Sequence, residues 1–167
     1  MIALWYPKPE PAGSTIAARG IIHRNLSTKK GNMAIWLLKT EPSVYSYDDL
    51  ERDKETMWDG VSQPHALLNI RQIKKGDTAI IYHTGDERAA IGLATVTKGY
   101  YVNPELDNPK LAVCDVKAKK RLGKPVTLKQ IKATPELKDW DLVRLARLSV
   151  VAVSDEQWAI VEKMSKA

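Results

Sequence analysis

The stretch Ile35-Trp36-Leu37-Leu38-Lys39-Thr40-Glu41-Pro42 constrains the fold more than any other part of the chain, because an apolar run that reads as a buried strand ends abruptly in charge. In period-two alternation Ile35, Leu37, Lys39 and Glu41 share one face, and Trp36, Leu38 and Thr40 share the other. Pro42 ends the ladder because it has no N–H to donate. One face therefore runs from core into charge. That is the pattern of a strand climbing to the mouth of a small barrel, a common place for ligand sites. A plainer reading stands beside it: Lys39 and Glu41 form an exposed ion pair at a strand end, worth about 0–1 kcal/mol.

With 167 residues, 44% of them hydrophobic, the chain has material for one domain with a real core. No apolar run approaches the roughly 20 residues of a membrane span, which predicts a soluble protein with no membrane partner. The single cysteine, Cys114, excludes an intrachain disulfide framework and a multi-cysteine metal site. It shares an alternating face with Ala112, Val116 and Ala118 and reads as a small core residue. His23, His65 and His83 show neither a two-histidine helical motif nor a cysteine at ligand spacing, so no metal and no cofactor are expected.

The formal charge of +6 is unevenly spread. Residues 1–32 hold Lys8, Arg19, Arg24, Lys29 and Lys30 against Glu10 alone, leaving residues 33–167 at +2. Within that nearly neutral part, Lys117, Lys119, Lys120, Arg121, Lys124, Lys129 and Lys132 follow one another with no acid between them, either a solvated face or a local footprint for phosphates. Residues 1–32 carry three prolines and three glycines and no hydrophobic periodicity. They read as a disordered or loosely packed extension, weakly like an organelle transit peptide, or else as sequence upstream of a true start at Met33. Mass spectrometry of the native N-terminus separates these readings.

From Met33 onward the elements follow local signals. Ser46 with Asp49 is a capping box that opens a helix over about 47–52. A brief extended segment covers 56–61. Pro64 starts a helix whose Ala66, Leu67, Ile70 and Ile73 recur at helical spacing before Gly76. Two β-runs, 77–84 and 89–97, flank the turn Gly85-Asp86-Glu87-Arg88 as a hairpin, and Gly92 inside the second marks a bulge or a close approach. A loop over 100–109 and a strand over 111–122 follow. Thr127 with Gln130 caps a short helix, Thr134-Pro135 starts another, and 141–147 reads as a turn or helix. A strand over 148–153 and a helix capped by Ser154 and Gln157 complete the chain. Strands and short helices mix without regular βα alternation, so the class is α+β, and several short twisted strands favour a small barrel.

No phosphate-cradling glycine loop or nucleophile elbow occurs in the folded part. An enzyme reading rests on His83, Glu41 and Asp59 converging in space. The aromatic residues are more suggestive. Trp36, Trp58, Tyr45, Tyr47, Tyr82, Tyr100 and Tyr101 stand in a chain without phenylalanine. Tryptophan and tyrosine add a polar handle that suits a half-open pocket, although each also serves as an ordinary wall residue.

Trp36-Leu37-Leu38-Lys39-Thr40-Glu41-Pro42, Trp58-Asp59-Gly60-Val61, Lys75-Gly76-Asp77, Tyr82-His83-Thr84 and Arg147-Leu148-Ser149-Val150 occur in the order and approximate spacing of the EVE domain, and the chain resembles that family over about 33–165. The resemblance implies a PUA-like β-barrel with flanking short helices, related to the YTH domains that read methylated adenine in RNA. It further implies a non-catalytic pocket for a modified or flipped nucleobase. Carried over by position, Trp36, Lys39, Thr40, Glu41 and Pro42 would line that pocket with Trp58, Gly60 and Val61. Tyr82, His83 and Thr84, then Arg147, Leu148 and Ser149, would complete it. Two departures stand out. Ser62-Gln63 replaces the Arg-Asn or Ser-Asn of many relatives, and Leu145-Ala146 replaces a polar Gln-Ser, making the pocket edge more apolar.

Extracting a base costs a few kcal/mol, and stacking on one aromatic returns about 1–3 kcal/mol, so directed hydrogen bonds must add the surplus. The expectation is that Trp36 or Trp58 stacks, that Lys39, Thr40 and Glu41 read the polar edge, and that Arg147 with the basic run, foremost Lys117, Lys119, Lys120, Arg121 and Lys124, holds phosphates. The partner is then RNA or DNA carrying a modified base, and the location cytoplasmic, or nuclear or organellar in a eukaryote. The alternatives are an enzyme on nucleotides or modified bases, with His83 or Glu41 in acid–base work, and a protein-interaction module.

Overall fold

The apolar run that opens at Ile35 becomes β1 (Ile35–Thr40), with Trp36, Leu37 and Leu38 all buried. It lies inside the sheet, parallel to β3 (Thr78–His83) and antiparallel to β6 (Val150–Val153). Burial on both sides explains why the run reads as continuously apolar instead of alternating. The computed structural model describes residues 33–167, and the expectations for residues 1–32 lie outside the described residues.

Helix α1 (Tyr47–Asp53) starts on the Ser46–Asp49 capping box and leads into β2 (Glu55–Trp58). Helix α2 (Pro64–Ile70) precedes the β3–β4 hairpin. Strand β4 (Ala89–Val102) then runs past the expected 97 into the first three residues of the loop expected over 100–109, the rest of which is loop, and β5 (Ala112–Thr127) pairs back along it beyond Gly123 and Pro125. The two are long because four register shifts let them bend as they pair. Three short elements follow: α3 (Leu128–Lys132) on its Thr127–Gln130 capping box, a 3₁₀ turn at Pro135–Leu137, and α4 (Asp141–Arg144). Helix α5 (Asp155–Lys166), capped by Ser154 and Gln157, ends the chain against β5.

The six strands form one sheet in the order β2-β5-β4-β3-β1-β6. The α+β class stands, but the expected barrel does not, because β2 and β6 are the two edges and do not pair with each other. Each is only four residues long. Helices α2 and α4 pack against β6, and α1 packs against β2, so helices cover the edges that closure would have joined. Short strands and bulges therefore mark a strongly coiled open sheet.

Three close contacts at Tyr47 hold α1 to this sheet. At Gly92, beside the β4 bulge, a Cβ would stand 2.4 Å from Cζ of Tyr47, so only glycine admits the ring. The Tyr47 hydroxyl donates to the Leu93 carbonyl at 2.7 Å, and the Arg121 guanidinium lies 5.1 Å from the centre of the ring.

Asp77 does the equivalent work at the start of β1. Its buried carboxylate accepts from Ala34 N at 3.1 Å, Trp36 Nε1 at 3.0 Å and Lys74 N at 2.9 Å. Removing it strands three donors, so Asp77→Ala is expected to lower stability by about 2–4 kcal/mol with little change in denaturant slope. Urea unfolding followed by tryptophan fluorescence measures both.

Candidate nucleic-acid interface

The parallel register of β1 on β3 sets Lys39 beside Tyr82 and Thr40 beside His83. From this point β1 ends and the chain turns back on itself, with Val44 N and Tyr45 N both donating to the Glu41 carbonyl at 2.9 Å. Pro42 sits half-buried in that turn. Two clefts open here, and Lys39 lines both.

The first cleft, about 340 Å³, is walled by Thr40, Tyr45, Trp58, Gly60, Val61 and Ser149, with Thr56, Met57 and Asp59 from the β2 side and Val44 at its rim. Its volume falls at the small end of ligand pockets, about 300–1,000 Å³. Tyr45 meets Trp58 edge-on, with ring centres 6.5 Å apart and planes at 84°. The Trp58 indole N–H has no acceptor among the described residues and is not sealed from solvent. The buried Trp36 and Trp140 differ, since their indole N–H groups donate to Asp77 and to the Ala152 carbonyl. Asp59, exposed at the same cleft, likewise has no hydrogen-bond or ion-pair partner among the described residues.

Lys39 is half-buried. Its Nζ donates to the Ala146 carbonyl at 2.9 Å and lies 5.9 Å from the centre of the Tyr82 ring. It forms no ion pair with Glu41 or with any other described residue. Burial without a counter-charge pulls the lysine below its ordinary pKa. The Glu41 carboxylate turns instead toward Gly85, where it accepts from Thr84 Oγ1 at 3.0 Å and Ser43 Oγ at 3.3 Å. The exposed ion pair is not present.

The structure brings Lys39, Thr40, Trp58, Gly60, Val61 and Ser149 together at the first cleft. Tyr82 and Thr84 line the second cleft, on the other side of Lys39. Trp36 belongs to the core and lines neither, so of the two stacking candidates Trp58 alone reaches a cleft. Leu148 is buried, and Arg147 lies on a separate shallow surface with Gln63 and His65. His83 is buried with both nitrogens engaged: Nε2 accepts from Tyr47 N at 2.9 Å, which leaves Nδ1 to donate to Glu87 Oε2 at 2.8 Å. It serves as a neutral bridge between β3 and α1. Of His83, Glu41 and Asp59, only Asp59 lines the first cleft, so the constellation behind the enzyme reading is not assembled there.

The basic run is dispersed. None of Lys117, Lys119, Lys120, Arg121 or Lys124 lines either cleft. Arg121 is held by Asp48 and Glu51 of α1, and Lys124 Nζ donates to the Ala167 carbonyl. Sequence reasoning missed Tyr45, Asp59 and Val44 as cleft residues, although Tyr45 was already among the suggestive aromatics. It also read Arg88 as turn, and no periodicity there reveals which way a side chain points. Among the described residues no group of His, Cys, Asp and Glu is placed to hold a metal, and no helix is long and apolar enough to cross a membrane.

Comparison with known proteins adds four findings. The family model of the EVE domain matches residues 34–164. Thymocyte nuclear protein 1 of Rattus norvegicus is 25% identical, the match covering 79% of this chain and 74% of that one. Among solved structures, a Rhodopseudomonas palustris protein is 37% identical with a TM-score of 0.76, covering 80% of this chain and 94% of that chain. Human THYN1 in complex with 5-methylcytosine containing DNA is 26% identical with a TM-score of 0.74, covering 80% and 98%. The expected location, cytoplasmic, or nuclear or organellar in a eukaryote, is corrected in its cytoplasmic part by the rat and human relatives, whose name, thymocyte nuclear protein, points to the nucleus for those proteins.

Tyr82 offers a test of the second cleft's environment. Burial pushes its phenol up to about 12, against the opposing charge of Arg88. Between pH 10 and 12 the folded state keeps a proton that the unfolded chain has lost, so this contribution is full below pH 10 and falls as pH rises through that window. Tyr82→Phe should therefore flatten the decline of the urea midpoint between pH 10 and 12.

Proposed function

The chain belongs to the EVE domain family, and on that footing we propose that it is a non-catalytic nucleic-acid-binding module that takes a modified nucleobase into the Trp58 cleft. The observation that carries this reading is the Trp58 indole, which combines a wall position in a base-sized cleft with an N–H that nothing in the described protein occupies. A stacked base adds about 1–3 kcal/mol and offsets the few kcal/mol of unstacking, so selectivity falls to the polar groups around it.

Those groups suit a cytosine-type edge. Trp58 Nε1 and Lys39 Nζ are donors for ring-nitrogen and carbonyl acceptors, and the Asp59 carboxylate is an acceptor for an exocyclic amino group. Val44, Met57 and Val61 add apolar surface on which a base methyl gains burial, at about 25 cal/mol per Å². Support also comes from the relative whose structure contains 5-methylcytosine DNA. We therefore place 5-methylcytosine first among the modifications to test.

The experiment is a panel of oligonucleotides, RNA and DNA, with and without 5-methylcytosine, read by fluorescence anisotropy. The wild-type protein is expected to prefer the modified strand. Trp58→Ala should weaken binding by about 5- to 150-fold, which corresponds to 1–3 kcal/mol of stacking. Because Trp58 is buried, Trp58→Phe serves as the milder variant, keeping a ring while losing the N–H, with an intermediate loss. Binding that is unchanged in both folded variants would refute the assignment of this cleft.

A further inference from the structure

The second cleft, about 240 Å³, differs in chemistry from the first. Three cations line it, Lys39 from β1, Arg88 from the β3–β4 turn and Lys132 from the end of α3, and no carboxylate does. None of the three is ion-paired among the described residues. The acids nearby are engaged elsewhere, Glu41 with the hydroxyls of Thr84 and Ser43, and Glu87 with His83 Nδ1. Asp86, in the same turn as Arg88, is exposed and lines neither cleft. Converging like charges with no counter-ion raise the local potential even in a domain of low net charge.

The cations are also positioned. Arg88 Nε donates to the Gly85 carbonyl at 3.0 Å, which fixes the guanidinium over its own turn. The Arg88 carbonyl in turn accepts from Leu128 N at 2.7 Å, tying the turn to the start of α3, whose last residue is Lys132. Arg88 adopts a φ of 43°, a conformation that non-glycine residues take only where the surroundings hold them. Its terminal amino groups make no hydrogen bond among the described residues, leaving a planar fork of the kind that pairs with phosphate oxygens. The Tyr82 hydroxyl, unpaired and not sealed from solvent, adds a neutral donor on the same wall.

We propose that this second cleft is an oxyanion site for a nucleic-acid phosphodiester, held by Arg88 and Lys132 with Lys39 shared, so that one nucleotide spans Lys39 with its base on one side and its phosphate on the other. The identification of the anion as a nucleic-acid phosphate rests on the base-binding reading. The cation cluster does not, and it also accommodates free phosphate. The phosphate contacts thereby move from the β5 lysines to Arg88 in the β3–β4 turn and Lys132 at the end of α3.

Two measurements separate the parts. In the first, the full chain is titrated with inorganic phosphate at low ionic strength while amide NMR shifts are followed. Saturable shifts are expected at Thr84, Gly85 and Arg88, lost in the Arg88→Gln/Lys132→Gln double variant and retained in the α5 control Lys163→Gln. No saturable shift at these amides overturns the oxyanion site.

In the second, binding of a 5-methylcytosine oligonucleotide is measured against salt concentration. Each neutralised phosphate contributes about 0.7–0.9 to the logarithmic slope, so the double variant, which strips this one phosphodiester of two of its three cations, should lower the slope by about 0.7–0.9 while keeping its preference for the modified base. An unchanged slope in that variant, with the slope falling instead in Lys117→Gln/Lys119→Gln, overturns the phosphodiester assignment. Phosphate binding without any oligonucleotide binding refutes the nucleotide-spanning arrangement and the base reading together, and leaves a site for free oxyanions. Both substituted residues are exposed, and an unchanged amide spectrum away from the cleft shows that the variant is folded.

Discussion

The rest of the structure depends on one buried carboxylate. Asp77 stands just ahead of β3, yet two of its three hydrogen bonds go to the start of β1, one to the backbone of Ala34 immediately before the strand and one to the indole of Trp36 within it. A parallel strand pair has no tight turn to set its register, so something else must, and a slip of one residue would reverse every side chain. Asp77 supplies that constraint at the start of both strands. Five residues along, the consequence is functional: Lys39 lies beside Tyr82 and Thr40 beside His83, which places the ammonium between two clefts. Trp36 is accordingly a structural residue, and its position at the head of the most prominent motif reflects register.

The same comparison explains why residues of one type divide between structure and site. Trp36 and Trp58 are equally buried, at 6% exposure, but one N–H is satisfied inside the protein and the other is not. Leaving a polar group unpaired carries a cost, about 1–3 kcal/mol when fully desolvated, so an unpaired donor on a cleft wall is kept wet or filled by a ligand. His83 sits at the other extreme, engaged on both ring nitrogens by Tyr47 and Glu87. It helps hold α1, and with it the Tyr47 ring on Gly92, against the sheet.

What was legible in the sequence was local. The three capping boxes at Ser46, Thr127 and Ser154 start helices where they were expected, because a hydroxyl and an acid or amide three residues apart suffice to define them. Gly92 announced both its bulge and its close contact. Pairing between distant elements was not legible. Whether β2 and β6 meet depends on how far β4 and β5 coil, which their register shifts decide and no single residue encodes. The basic residues of β5 lie away from both clefts for the same reason. Consecutive lysines on a strand point to opposite faces, and the neighbour that neutralises Arg121, the acidic side of α1, is 70 residues away in the chain. Arg88 and Lys132, which line the second cleft, are brought to it by a turn and a short helix that contact each other only in the fold.

Lys39 gives the site its logic. An ammonium taken half out of water with no carboxylate beside it is destabilised in its charged form, which is why its pKa lies below the ordinary lysine value. One of its three protons is donated to the Ala146 carbonyl, and two remain for whatever enters from either side. A base carbonyl in one cleft and a phosphate oxygen in the other would each lessen the same desolvation penalty. A ligand carrying both groups on one nucleotide would engage them together, without a second loss of translational freedom. A base alone or a phosphate alone satisfies half of this arrangement, so recognition is directed to a nucleotide within a strand. That is the requirement of a reader that must find one altered base in a polymer with a domain whose net charge is too small to hold the polymer indiscriminately.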